Sequence, residues 1–147
     1  LLQIPLVDAI ASWRRTRGLV LSAGFWAISM VSVWLAYLVD PAVLLGVALV
    51  GGHLVLRTIG EVLHSPIVTS LMSALGTAEE RGSQLSVLEV AKRLGFGLGS
   101  FVGGLFFDYG LQAIFWPLLA VFAVVLVVGI VGLERRVSAT ENGVSPH

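Results

Sequence analysis

Arg57, Glu61 and His64 lie close together in one apolar stretch of the sequence. Arg57 and Glu61 are four apart, so on a helix they stack on one face, and His64 follows near that face three residues on. At the centre of a bilayer a charged side chain costs about 2.5–3.5 kcal/mol on insertion scales. A sequence keeps such a charge where it lines a cavity, finds a partner or reaches an interface. Two readings stand side by side. Glu61 is a proton-relay or substrate-facing carboxylate with Arg57 as its neighbouring charge and His64 beside it. Alternatively, the group is an internal ion pair, or lies near the cytoplasmic boundary of a long helix. Pro66 follows one turn after Glu61 and removes the donor to a carbonyl near Val62. Ser65 and neighbouring helices can satisfy that carbonyl, which makes Pro66 a hinge or a fixed kink. His53 reads as a packed, hydrogen-bonded histidine.

A second cluster lies further on. Glu89 reaches Lys92 at three residues and Arg93 at four, the spacing of structural ion pairs on a helix. A run of glycines follows it. Gly95, Gly99 and Gly103 are spaced by four, with Gly104 beside them, and such a stripe lets another helix approach to backbone contact. Gly-x-Gly also occurs in nucleotide loops, but no strand precedes this run and no Lys-Ser/Thr follows it. No Ser-His-Asp set, metal motif or paired catalytic carboxylates stand out, and there is no cysteine. The expectation is therefore a non-enzyme with no cofactor and no metal.

The elements that position these groups follow from hydropathy. The 147 residues are 56% hydrophobic and 12% charged, with a mean hydropathy of +0.94. Soluble domains carry about 25% charged residues, so a chain this apolar implies lipid as its solvent and a bilayer as its first partner. Net charge is zero and no basic tract is present, which argues against nucleic acid. Four spans are expected, over about 18–39, 42–75, 84–107 and 112–133, giving an all-α multi-pass transmembrane bundle. The first and fourth read as plain spans. The second is roughly 50 Å long as a helix, longer than the hydrocarbon core, and must tilt, kink at Pro66 or project into water. Asp40-Pro41 and Asp108-Tyr109-Gly110 read as turns, and Thr77 to Ser83 as a polar loop. Residues 1–17 read as the end of a truncated span, over Leu1 to Leu6, and a basic loop. Residues 134–147 read as a polar tail.

Arginine sets the orientation. Arg14, Arg15 and Arg17 precede the first span, Arg81 lies between the second and third, and Arg135 and Arg136 follow the fourth. The loops at Asp40 and Asp108 carry no Lys or Arg. The positive-inside rule then places both termini in the cytoplasm, with the chain in the plasma (cytoplasmic) membrane. Trp13, Trp34, Tyr37, Tyr109 and Trp116 fall near predicted span ends, where interfacial aromatics belong.

The run Gly95-Phe96-Gly97-Leu98-Gly99-Ser100-Phe101-Val102-Gly103-Gly104 resembles the antiporter signature of the major facilitator superfamily. That signature is a glycine, three residues, Gly-Pro, two residues, then Gly-Gly, and Ser100 stands here in place of its proline. Gly60-Glu61 followed by Pro66, and then Glu80-Arg81-Gly82, is similar to the tenth helix and following loop of drug-efflux-like members. Pro5, Asp8 and Arg14-Arg15 resemble a degraded form of the family's inter-helix loop motif. The resemblance covers about residues 5 to 136. With the polar tail straight after the last span, it implies a C-terminal fragment holding helices nine to twelve of a secondary active transporter, partnered by missing N-terminal helices; helices three to six, with the tail opening a central loop, are the alternative. It implies alternating access for a small organic molecule, with proton-coupled efflux among the family's modes and Glu61 as a candidate coupling residue. The fragment by itself is expected to be inactive. A self-contained four-helix exporter that works as an oligomer, and a non-transporting membrane scaffold, remain alternatives.

Overall fold

The computed structural model of the chain describes residues 14–39, 43–74, 77, 79–137 and 142. The expected helix tail at Leu1 to Leu6, the motif residues Pro5 and Asp8, Trp13, the Asp40-Pro41 turn and most of the polar tail lie outside the described residues. Among those described the fold is all-α. It consists of α1 (Arg15–Leu38), α2 (Val43–Ala74), α3 (Arg81–Asp108) and α4 (Gln112–Glu134). All four are long and apolar enough to cross a membrane, so the chain is a multi-pass membrane-embedded helical protein.

The ends of the helices differ from the hydropathy boundaries where a charge enters the first turn. Helix α1 starts at Arg15, before the uncharged run that begins at Gly18. Helix α3 starts at Arg81, so Arg81, Gly82 and Ser83 are helical and not loop. Hydropathy detects the apolar part of a helix, but backbone hydrogen bonding continues past it, as from the Gln84 amide to the Glu80 carbonyl at 3.0 Å. Helix α2 passes through Pro66 without interruption, and its 32 residues rise about 48 Å, more than the roughly 30 Å core.

The first span is not a plain one. Helix α1 is the hub of the bundle, packed along both α2 and α4, whereas α3 touches α2 and α4 only lightly. Its buried positions are mostly small: Gly18, Ser22, Ala23 and Ser29, with Thr16 and Leu19. Small side chains let helix backbones approach, which is how helices gain contact in lipid. Three contacts fix the antiparallel α1–α2 register. Ser22 meets Gly60, the Ser29 carbonyl meets His53, and Ser32 Oγ donates to the Leu49 carbonyl at 2.8 Å. A small core of Leu19, Ala23, Leu71 and Ile130, backed by Val20, Ile67, Val68, Val127 and Val137, joins α1, α2 and α4.

Helix α1 is capped from a distance. Arg14 precedes it and makes no side-chain cap. Instead the buried Asn142 accepts the Thr16 amide on Oδ1 at 3.0 Å, while its backbone carbonyl accepts the Arg15 amide at 3.0 Å. This is the chemistry of an N-cap supplied by a residue beyond α4. Glu134, at the end of α4, pairs with Arg14 at 3.0 Å and approaches Arg17 at 4.0 Å. Arginines at a helix N-terminus and a glutamate at a C-terminus each oppose the local dipole, and their pairing offsets both.

The α3–α4 turn is a Schellman motif. Gly110 takes φ +69°, the Leu111 amide donates to Phe106 O at 2.8 Å, and the Gly110 amide donates to Phe107 O at 3.2 Å. Phe106, Phe107, Phe115 and Trp116 pack edge to face or tilted around it, with centroids 5.1–6.2 Å apart. Trp116 turns into the bundle, with its ring 6.4 Å from that of His53.

Candidate functional site

A single glycine sets the α1–α2 wall of the site. A Cβ built on Gly60 would lie 2.7 Å from Trp26 Cδ1 and 3.1 Å from the Ser22 carbonyl oxygen. No side chain fits there, so α2 presses its backbone against the indole. One turn on, the His64 ring lies 4.7 Å from the Trp26 ring, tilted by 45°. Trp26 thus packs against both Gly60 and His64, one turn apart on α2. Gly60 entered the sequence reading only as part of a family resemblance. The signal that could have singled it out is a lone glycine inside a long apolar helix, where it costs helix stability unless something approaches it.

An open cleft of about 600 Å³ lies beside this wall. Trp26 of α1, Glu61, His64 and Ser65 of α2, and Lys92, Arg93, Phe96 and Gly97 of α3 line it. Two groups that the sequence treated separately therefore share one space. The α1–α2 register also gives the depth. Gly60 is level with Ser22, four residues inside Gly18, and Glu61 is one residue nearer the arginine-bearing end, so it lies only about 4–5 Å into the uncharged part of α1.

Arg57 and Glu61 do not form the pair their spacing allows. Among the described residues no ion pair joins them; Arg57 is exposed, one turn away, and is not part of the cleft wall. The α3 cluster divides as well. Arg93 Nε donates to Glu89 Oε1 at 3.1 Å, and Lys92 joins no ion pair among the described residues. The reason is angular: at 100° per residue Arg93 lies about 40° to one side of Glu89, and Lys92 about 60° to the other. His53 is buried, with Nδ1 3.0 Å from the Ser29 carbonyl. A carbonyl only accepts, so Nδ1 carries the proton and the imidazole ties α2 to α1.

The glycine stripe lies elsewhere. Gly95, Gly99 and Gly104 meet no atom within 4 Å, and Gly103 faces Phe115 Cζ at 3.4 Å. A second groove, of about 400 Å³, runs between α1 and α4 and is lined only by Ala27, Ile28, Val31, Ala120, Val121, Val124 and Val125. It has hydrocarbon chemistry alone. No group of three or more metal-ligating side chains occurs among the described residues. Comparison with known proteins returns no match: no family model fits the chain, and neither a curated protein nor a solved structure resembles it.

Proposed function

We propose that this chain is part of a secondary active transporter of the major facilitator type, which moves a small organic molecule by alternating access. The observation that carries this reading is the charged cleft among membrane-spanning helices, with Glu61 and His64 on one wall and Lys92 on the other. Within a span an ionisable side chain faces a cavity, finds a partner or reaches an interface, and Glu61 and Lys92 face the cleft without an ion pair among the described residues. Pro66 stands one turn beyond Glu61 on the same helix, where a change of bend would alter the cleft. On this reading the uncovered face of α3 packs against further helices of the same transporter, which complete the cavity. The protein lies in the plasma membrane with the Arg14 and Arg135 ends cytoplasmic, following the arginine bias.

The test is proton-coupled flux in the complete transporter, measured in inverted vesicles with an imposed pH gradient. Glu61→Gln is expected to abolish gradient-driven flux while leaving the protein in the membrane. Unchanged gradient-driven flux overturns the coupling role. The four helices reconstituted by themselves are expected to carry nothing. A second reading, an exporter assembled from copies of this chain, draws on the same uncovered α3 face. A discrete oligomer cross-linked through Gly99→Cys, together with flux from the chain alone, favours it.

A further inference from the structure

We propose that the α1–α2–α3 cleft binds a zwitterion: one molecule that carries an ammonium and an anionic oxygen group next to an apolar or aromatic body. The inference deepens the transport reading and rests on it for the purpose of the site. Its chemistry comes from the walls. Glu61 offers a carboxylate from α2 and Lys92 an ammonium from α3, both line the same space, and neither joins an ion pair among the described residues. The other cation in the wall, Arg93, already has Glu89 at 3.1 Å. The cleft thus holds one uncompensated charge of each sign, on opposite helices.

A singly charged ligand answers one of these groups and leaves the other without a partner in the cleft. A zwitterion answers both, so the penalty for the unanswered charge discriminates between them. The poles have a direction. Trp26, packed against Gly60 and His64, stands on the Glu61 side and gives that pole an aromatic wall. Phe96 lines the α3 side beside Lys92 and Arg93, and Ser65 supplies a hydroxyl on α2. The volume, about 600 Å³, falls within the usual range of roughly 300–1,000 Å³ for small-molecule sites. Two sources carry this chemistry: a free solute of amino-acid type, and the headgroup of phosphatidylethanolamine.

Nanodiscs of phosphatidylglycerol contain no lipid ammonium and separate the two. In them, binding of radiolabelled phenylalanine, phenethylamine and 3-phenylpropionate to the full chain is measured by equilibrium dialysis. Phenylalanine is expected to bind about tenfold or more tightly than either singly charged analogue. Lys92→Gln should make phenylalanine and phenethylamine equivalent, and Glu61→Gln should make phenylalanine and phenylpropionate equivalent, a crossed pattern that loss of fold does not imitate. If the headgroup is the source, the preference appears instead with phosphatidylethanolamine added to the discs. It is read as that lipid retained through purification by the native chain and lost from Glu61→Gln and Lys92→Gln. Equal binding of the three solutes, with no retained phosphatidylethanolamine, overturns the proposal. Intact zwitterion binding without flux in the complete transporter overturns the transport reading and leaves the site standing. Intact flux of a singly charged substrate with no zwitterion preference does the reverse.

Discussion

Helices α2 and α3 both place glycine within an apolar span, and they use it in opposite ways. Gly60 of α2 is buried against the Trp26 indole and the Ser22 carbonyl, with no room for a methyl group. In α3 the richer pattern, Gly95, Gly97, Gly99 and Gly104, faces open space within this chain. In lipid, glycine marks where a helix can be approached closely; whether it is approached depends on the rotation of its neighbours. One inconspicuous glycine fixes the wall of the cleft. The conspicuous stripe remains a surface, touched only where Gly103 meets Phe115.

Substitutions can break this contrast. The largest effect is expected at Gly60. Gly60→Leu should prevent close α1–α2 packing, and Gly60→Ala should cost about 1–3 kcal/mol from overpacking, partly offset by a gain of up to about 1 kcal/mol in helix propensity. Unfolding by SDS titration, followed by far-UV circular dichroism, measures both. A stable Gly60→Leu protein would mean that α1 and α2 are not in contact there.

Next comes His53→Ala on the same interface. It removes an interhelical hydrogen bond to the Ser29 carbonyl, a class worth about 0.6–1.7 kcal/mol in membrane proteins, and leaves a packing defect beside Trp116. The same titration reports it. Asn142→Ala should cost about 1 kcal/mol through loss of the distant cap. Hydrogen exchange at the Thr16 amide gives the local readout, and an unchanged rate there would show that Asn142 does not cap α1. The smallest effect belongs to the stripe. Gly99→Leu should change the stability of this chain by no more than about 0.5 kcal/mol, because nothing stands opposite. A loss comparable to that at Gly60 would show that another helix covers α3.

Legibility followed the range of the interaction. The four spans could be read because length and apolar content are properties of one stretch at a time. The turn at Tyr109-Gly110 was legible for the same reason, since Gly110 adopts the positive φ that favours glycine, while Asp108, expected in the turn, closes α3. The packed, hydrogen-bonded reading of His53 agrees with its place against Ser29. Helix starts were less legible, because Arg15 and Arg81 continue a helix after the apolar signal has stopped. The spacing of Arg57 and Glu61 allowed an ion pair that does not form, and Glu89 engages Arg93 but not Lys92. Spacing states which residues are within reach of each other; it does not state which of them turns toward another helix.

What the sequence determined by itself was the solvent and the scaffold: four apolar helices, with arginine at one end of the bundle and glycine concentrated in the third. These are sums over neighbouring residues, and a bilayer reads them directly. What only the tertiary structure decided was the choice of α1 as the hub, the seating of Gly60 on Trp26, the capping of α1 by Asn142, and the meeting of Glu61 and Lys92 across one cleft. Each of these depends on how one helix is rotated and shifted against another. A small rotation moves a side chain from cavity to lipid without altering any local pattern, so no stretch of sequence read by itself contains that information.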